Sequence, residues 1–164
     1  KTQPLEVRAR SWLHANCGHC HRQSGGGSVP LHMTAQAPLQ ETRMLGVEPT
    51  KGGFDLDAAR LIAPGDPYNS VLFYRVMTRG IGHMPMLGSA TTDKVGVGLV
   101  HDWIESLGPT PEGSFPENPD TATNALILAH HLLQGKLDEK TKKRILEEAA
   151  KSPNLSVMSL FSGW

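Results

Sequence analysis

Apolar residues recur at helical spacing in several stretches of the chain, divided by glycine and proline breaks. Leu5, Ala9, Trp12 and Leu13 share one face, with Glu6, Arg8 and Arg10 between them, which predicts a helix over Leu5–Asn16. Val71, Leu72, Tyr74, Val76 and Met77 predict a second over Tyr68–Arg79, stopped by Gly80 and Gly82. Val95, Leu99, Trp103 and Leu107 form a stripe with Val100 and Ile104 beside it. It predicts a helix capped by Thr92 or Asp93 and running to Leu107, before Gly108-Pro109. Two further helices are expected over about Thr121–Gln134, with Gly135 as the C′ stop, and about Leu137–Lys151, with Asp138 as N-cap. Ser152-Pro153 breaks the last one, and a final turn starts near Asn154. Residues 31–66 carry weaker periodicity: a short helix over Pro38–Leu45, a turn at Gly52-Gly53 and a helical turn over Asp57–Ile62 are the expectations there. The fold class expected is all-α.

Pro109, Pro111, Gly113, Pro116 and Pro119 mark a stiff linker. It divides the chain into a domain over residues 1–108 and an extension over 109–164, read as linker plus helical hairpin. The extension is too small to stand alone and should pack on the first domain or on a neighbour. The formal net charge is zero, so nothing points to nucleic acid or an anionic membrane as partner. No apolar run approaches the roughly 18 residues of a membrane span. Lys1-Thr2-Gln3-Pro4 reads as a mature or cut N-terminus.

Cys17-Gly18-His19-Cys20-His21 spells C-x-x-C-H, the attachment signature of a c-type haem. Two thiols three positions apart at a helix end can form thioethers with the two vinyl groups of one porphyrin. The histidine after the second cysteine then supplies an axial nitrogen to iron. The rival chemistries fit less well. A thioredoxin-like pair wants a βαβ setting. A structural zinc wants two more ligands at close spacing, and the chain has only two cysteines. A disulfide over so short a loop adds little. The 38% hydrophobic and 5% aromatic content is thin for a protein-only core, and a porphyrin would complete it. Covalent haem attachment normally takes place outside the cytoplasm, which implies a periplasmic or otherwise exported location.

A low-spin haem needs a sixth ligand, and methionine sulfur favours ferrous iron and raises the potential. Of six methionines, Met84 and Met86 lie in the irregular loop Gly82–Gly88 ahead of the Thr92–Leu107 helix. Met84, directly before Pro85, ranks first and Met86 second, with core packing the better reading of Met86. Met77 reads as core, while Met33, Met44 and Met158 have no legible context. His83 is the competitor that would give bis-histidine iron. His14, His19, His32, His101 and the adjacent pair His130-His131 read as surface or structural. Ser24–Ser28 is a flexible glycine loop, and the Pro30 carbonyl after it is the candidate acceptor for the Nδ1 proton of His21.

The helix, C-x-x-C-H, glycine loop, Met84-Pro85 loop and terminal helix together resemble a class I cytochrome c domain over roughly residues 5–108. Arg60–Pro67, Ser70-Val71-Leu72 and Met84–Gly88 narrow the resemblance to cytochrome modules fused to large exported dehydrogenases in planctomycete-like bacteria. Met86 stands where that family commonly has a second proline. The resemblance implies one covalent haem c, with Cys17, Cys20 and His21 on one side and Met84 on the other. It also implies crossing terminal helices, with Trp12 and Trp103 at the contact. Propionate donors would come from Arg60, Arg75, Arg79 and Tyr74, Arg60 first because it precedes the Pro-Gly-Asp-Pro turn. The function implied is electron transfer from a dehydrogenase donor to a cytochrome or oxidase acceptor, without an enzymatic site of its own. The alternative is a haem peroxidase or gas sensor with a labile sixth ligand.

Overall fold

The structure, a computed structural model, describes residues 3–87 and 89–164. Lys1, Thr2 and Gly88, which ends the predicted Gly82–Gly88 loop, lie outside the described residues. The chain is all-α: α1 Leu5–Cys17, α2 Val71–Met77, α3 Lys94–Glu105, α4 Ala122–Leu133, α5 Glu139–Ala150 and α6 Leu155–Phe161. Short 3-10 turns at Leu39–Thr42 and Pro67–Asn69 complete it. No strand forms among the described residues, only isolated backbone bridges. None of the described helices is long and apolar enough to cross a membrane.

Local chemistry sets the helix starts. Asp93 Oδ1 accepts from the amides of Val95 and Gly96, both at 3.0 Å, so Asp93 and not Thr92 caps α3. Thr121, Asp138 and Asn154 accept in the same way at the starts of α4, α5 and α6. Gly135, at φ +69°, follows α4 as the predicted stop.

Three expectations for this part of the chain are corrected. Asp57–Ile62 is not a helical turn. Ile62 N donates to Met44 O at 3.0 Å, Leu61 N to Val47 O at 2.7 Å, and Val71 N to Arg60 O at 2.8 Å. Non-local backbone pairing wins because a six-residue helix would be mostly nucleation cost. The Tyr68–Arg79 helix is interrupted at Ser70, which is extended because Asp66 caps a separate turn at Tyr68 and Asn69. Its helical part ends at Met77. Pro38–Leu45 shrinks to a single 3-10 turn.

α1 packs against α3, but the buried stripe of α3 is shifted from the predicted one. Val97, Val100, Trp103 and Ile104 are buried, while Val95 is 81% exposed. The shift comes from Gly96. A Cβ there would lie 2.3 Å from Trp12 Nε1, so only glycine admits the Trp12 indole against the first turn of α3. Trp12 then donates to Asp93 Oδ2 at 2.9 Å. The same carboxylate thus caps one helix and ties it to the other. The Gly96 amide, helped by Trp12 and Val95 against the cost of burial, holds its pKa down.

The extension is three helices packed on the first part of the chain rather than a hairpin. α4 packs against α2, α5, α6 and the Pro67–Asn69 turn. That explains why nine of its twelve residues are buried: a helix covered on several sides reads apolar all round. α5 buries only Ile145 and Ala149. The proline linker lies along the extension, where Arg144 donates to Asn118 Oδ1 and to Glu117 O.

Candidate functional site

Cys17 is the last residue of α1, and the chain turns there without leaving it. Cys20 N and His21 N both donate to Cys17 O, at 3.1 and 2.9 Å. This tight turn buries Cys17, leaves Cys20 exposed and half-buries His21. The glycine run then folds back over the motif. Gly27 N donates to Cys20 O at 3.0 Å, and a Cβ on Gly27 would sit 2.7 Å from His21 Nδ1. What reads as a flexible linker is a cradle for the His21 ring.

These residues form part of the wall of a cavity of about 430 Å³, lined also by Leu31, Met33, Met44, Leu72, Val76 and Met84. The volume lies within the range of cofactor pockets, and the lining is largely apolar, as such pockets are. The cavity brings together Cys17, Cys20 and His21 from the end of α1 and Met84 from the loop between α2 and α3. Backbone contact fixes the loop: Met84 N donates to Arg75 O at 3.0 Å.

The electrostatics separate the rival chemistries. Burial, with Cys20 close by, pushes the Cys17 thiol up to about 11. A C-x-x-C redox pair uses the opposite shift. Burial, then Arg75 and His19, pushes the His21 imidazole down, toward the neutral form that coordinates metals. His21 Nδ1 is buried with no hydrogen-bond partner. The exposed Pro30 carbonyl is not its acceptor here, contrary to expectation.

Two other expected residues are placed elsewhere. Arg60 is not on the cavity: its guanidinium lies 3.8 Å from Glu48 and donates to Ala59 O. A parallel backbone bridge between Arg60 and Ser70 fixes it outside. Arg75 lines the cavity instead, donating to Gly82 O at 3.0 Å and lying 4.7 Å from the Phe54 ring centre. No carboxylate pairs with it among the described residues, so its charge is available to an acidic group on a bound molecule. Arg79 bonds Ser89 O and Ala90 O, and Tyr74 is buried with its hydroxyl on Ser156 O.

Met86 is 76% exposed at the rim, so it is not a core residue. His83 is engaged away from the cavity, donating from Nδ1 to Thr78 O at 2.6 Å, with Nε2 2.7 Å from Ser89 Oγ. Met33 and Met44, which had no legible context, are both buried on the cavity wall. Only long-range folding reveals that, since neither sits in a local pattern.

The histidines of the extension also depart from expectation. His130 is 4% exposed, in a chain where His101 Nε2 and His130 Nδ1 meet the Tyr68 hydroxyl at 3.2 and 3.1 Å. No family model, no curated protein and no solved structure matches this chain.

Proposed function

We propose that the chain is an electron-transfer cytochrome of the class I kind, carrying one haem c. Cys17 and Cys20 would hold the porphyrin through thioether links, and His21 and Met84 would ligate its iron. The observation that carries the reading is the convergence of this motif and a methionine from a distant loop on one apolar cavity. The Gly27 cradle against the His21 ring and Arg75 on the cavity wall, with no carboxylate partner among the described residues, both fit such a group. When bound, haem supplies a one-electron ferric/ferrous couple.

The residues of the chain set the conditions for that couple. Cys17 and Cys20 tether, Gly27 orients the imidazole, and the apolar wall of Leu31, Leu72 and Val76 keeps water out. Arg75 would pair with a propionate, and exposed Lys51 stands at the same rim. With His21 and Met84 both committed to the iron, the bound group would need no substrate at the metal. Partners would be a dehydrogenase donor and a cytochrome or oxidase acceptor, in the periplasm or another exported setting. Zero net charge favours docking by apolar contact or covalent linkage over long-range steering.

The test is expression with a haem-maturation system, followed by visible spectra of both redox states. Wild type should show covalent haem and the weak sulfur-to-iron charge-transfer band of the ferric form. Met84→Ala should abolish that band and open the reduced protein to carbon monoxide. A colourless polypeptide would remove the proposal. Rapid carbon monoxide binding by wild type would favour the peroxidase or sensor alternative.

A further inference from the structure

α6 lies outside the cavity, yet its two buried serines grip both structures that reach into it. Ser159 Oγ accepts from Ile81 N at 3.0 Å, and Ser159 O accepts from Arg79 N at 3.3 Å. Gly80, between them, is pressed so close that a Cβ there would lie 2.7 Å from Ser159 Cβ. These three residues begin the loop that carries Met84. Arg79 closes the same loop at its base by donating to Ser89 O at 2.6 Å and to Ala90 O at 2.8 Å.

One turn earlier on α6, Ser156 Oγ donates to Asp55 Oδ2 at 2.9 Å, while Ser156 O accepts from the Tyr74 hydroxyl at 3.0 Å. Phe54 and Asp55 both hold positive φ, +55° and +58°, a backbone state that non-glycine residues keep only when the surroundings impose it. In that state Phe54 stacks on Tyr74 at 4.5 Å and lies beneath the Arg75 guanidinium.

We propose that α6 is a positioning element for the cavity: Ser159 anchors the loop that delivers Met84, and Ser156, through Asp55 and Phe54, holds Arg75 at the wall. The proposal rests on the reading of Met84 as an axial ligand. It gives residues 109–164 a role in holding Met84 at the cavity, beyond packing.

The experiment compares Ser159→Ala, Ser156→Ala and Thr123→Ala in the full-length haem-loaded protein. Thr123 is the control: its Oγ1 accepts from Asp57 N at 3.0 Å, so it also joins the extension to the first part of the chain, but through neither serine. Added imidazole is titrated against the ferric protein, and loss of the sulfur-to-iron band is followed. Ser159→Ala should lose the band at about fivefold lower imidazole, the effect of one net hydrogen bond, and Ser156→Ala should do the same because Arg75 O holds Met84 N. Thr123→Ala should match wild type. Equal lability in all three, or none in Ser159→Ala, overturns the proposal.

Amide exchange in the haem-free chain separates this failure from failure of the haem reading. Ser159→Ala should speed exchange at Met84 N as well as at Ile81 N, and Thr123→Ala should speed neither. Unchanged exchange at Met84 would show that Ser159 does not position the loop, whatever the cavity binds.

Discussion

At the scale of single residues, His130 has the largest consequence for stability. Burial first, then His101, His131 and Lys136, lowers its pKa from 6.5 to about 3. The groups facing it are Tyr68 and His101 from the first part of the chain, His131 from α4 and Gln134 at its end. A histidine with a depressed folded-state pKa is neutral in the folded protein between its folded and unfolded pKa values and takes up a proton on unfolding. Its contribution is therefore whole above about pH 6.5 and is lost as pH falls toward 3. Stability should drop by up to about 1.4 kcal/mol per pH unit across that window. Denaturant melts from pH 7 to pH 4 should show this slope, and His130→Gln should flatten it. The sequence alone places His130 on a helix surface. It cannot do better, because the apolar residues of α4 surround the helix and leave no polar face to assign it to.

At the scale of elements, the α1–α3 crossing predicts opposite signs for two glycines in one helix. Alanine in place of a helical glycine gains about 0.5–1 kcal/mol from chain entropy. At Gly98 the nearest atom to an added Cβ is Gln134 Nε2 at 3.5 Å, so the gain should appear as a higher Tm. At Gly96 the Cβ would meet the Trp12 indole at 2.3 Å. Displacing that ring breaks its bond to Asp93, and overpacking costs about 1–3 kcal/mol. Gly96→Ala should therefore lower the Tm, and a rise in both variants would sink this account of the crossing. The element starts were legible because capping is local: Asp93, Asp138 and the turn at Asn154 are readable from neighbours in the chain. The phase of the α3 stripe was not, because it follows from an indole on another helix. Asp57–Ile62 failed for the same reason, since its partners at Met44 and Val47 belong to another segment.

At the scale of the whole molecule, the extension and the first part of the chain share one body of contacts. Tyr74, fully buried in α2, hydrogen-bonds α6, and α4 packs over α2. Leu126, on α4, is 0% exposed. Leu126→Ala should cost about 2–5 kcal/mol, as large-to-small changes in a core do. It should also lower the unfolding midpoint equally for amides before and after Pro109, read by NMR through a denaturant series. Separate midpoints would show two independent units. The linker takes part in that packing, because Pro116 and Pro119 are themselves buried.

The sequence by itself determined the all-α class and most helix starts, and it singled out Cys17, Cys20, His21 and Met84, which line one cavity, because caps, periodicity and a five-residue motif are carried by neighbours along the chain. Tertiary structure decided the rest. It put Arg75 on the cavity and Arg60 outside it, wrapped Gly27 over His21, lined the wall with Met33 and Met44, and set α6 behind the Met84 loop. Each of these depends on which distant segment arrives at a given face, and that is fixed only when the apolar surfaces of the described helices are buried together.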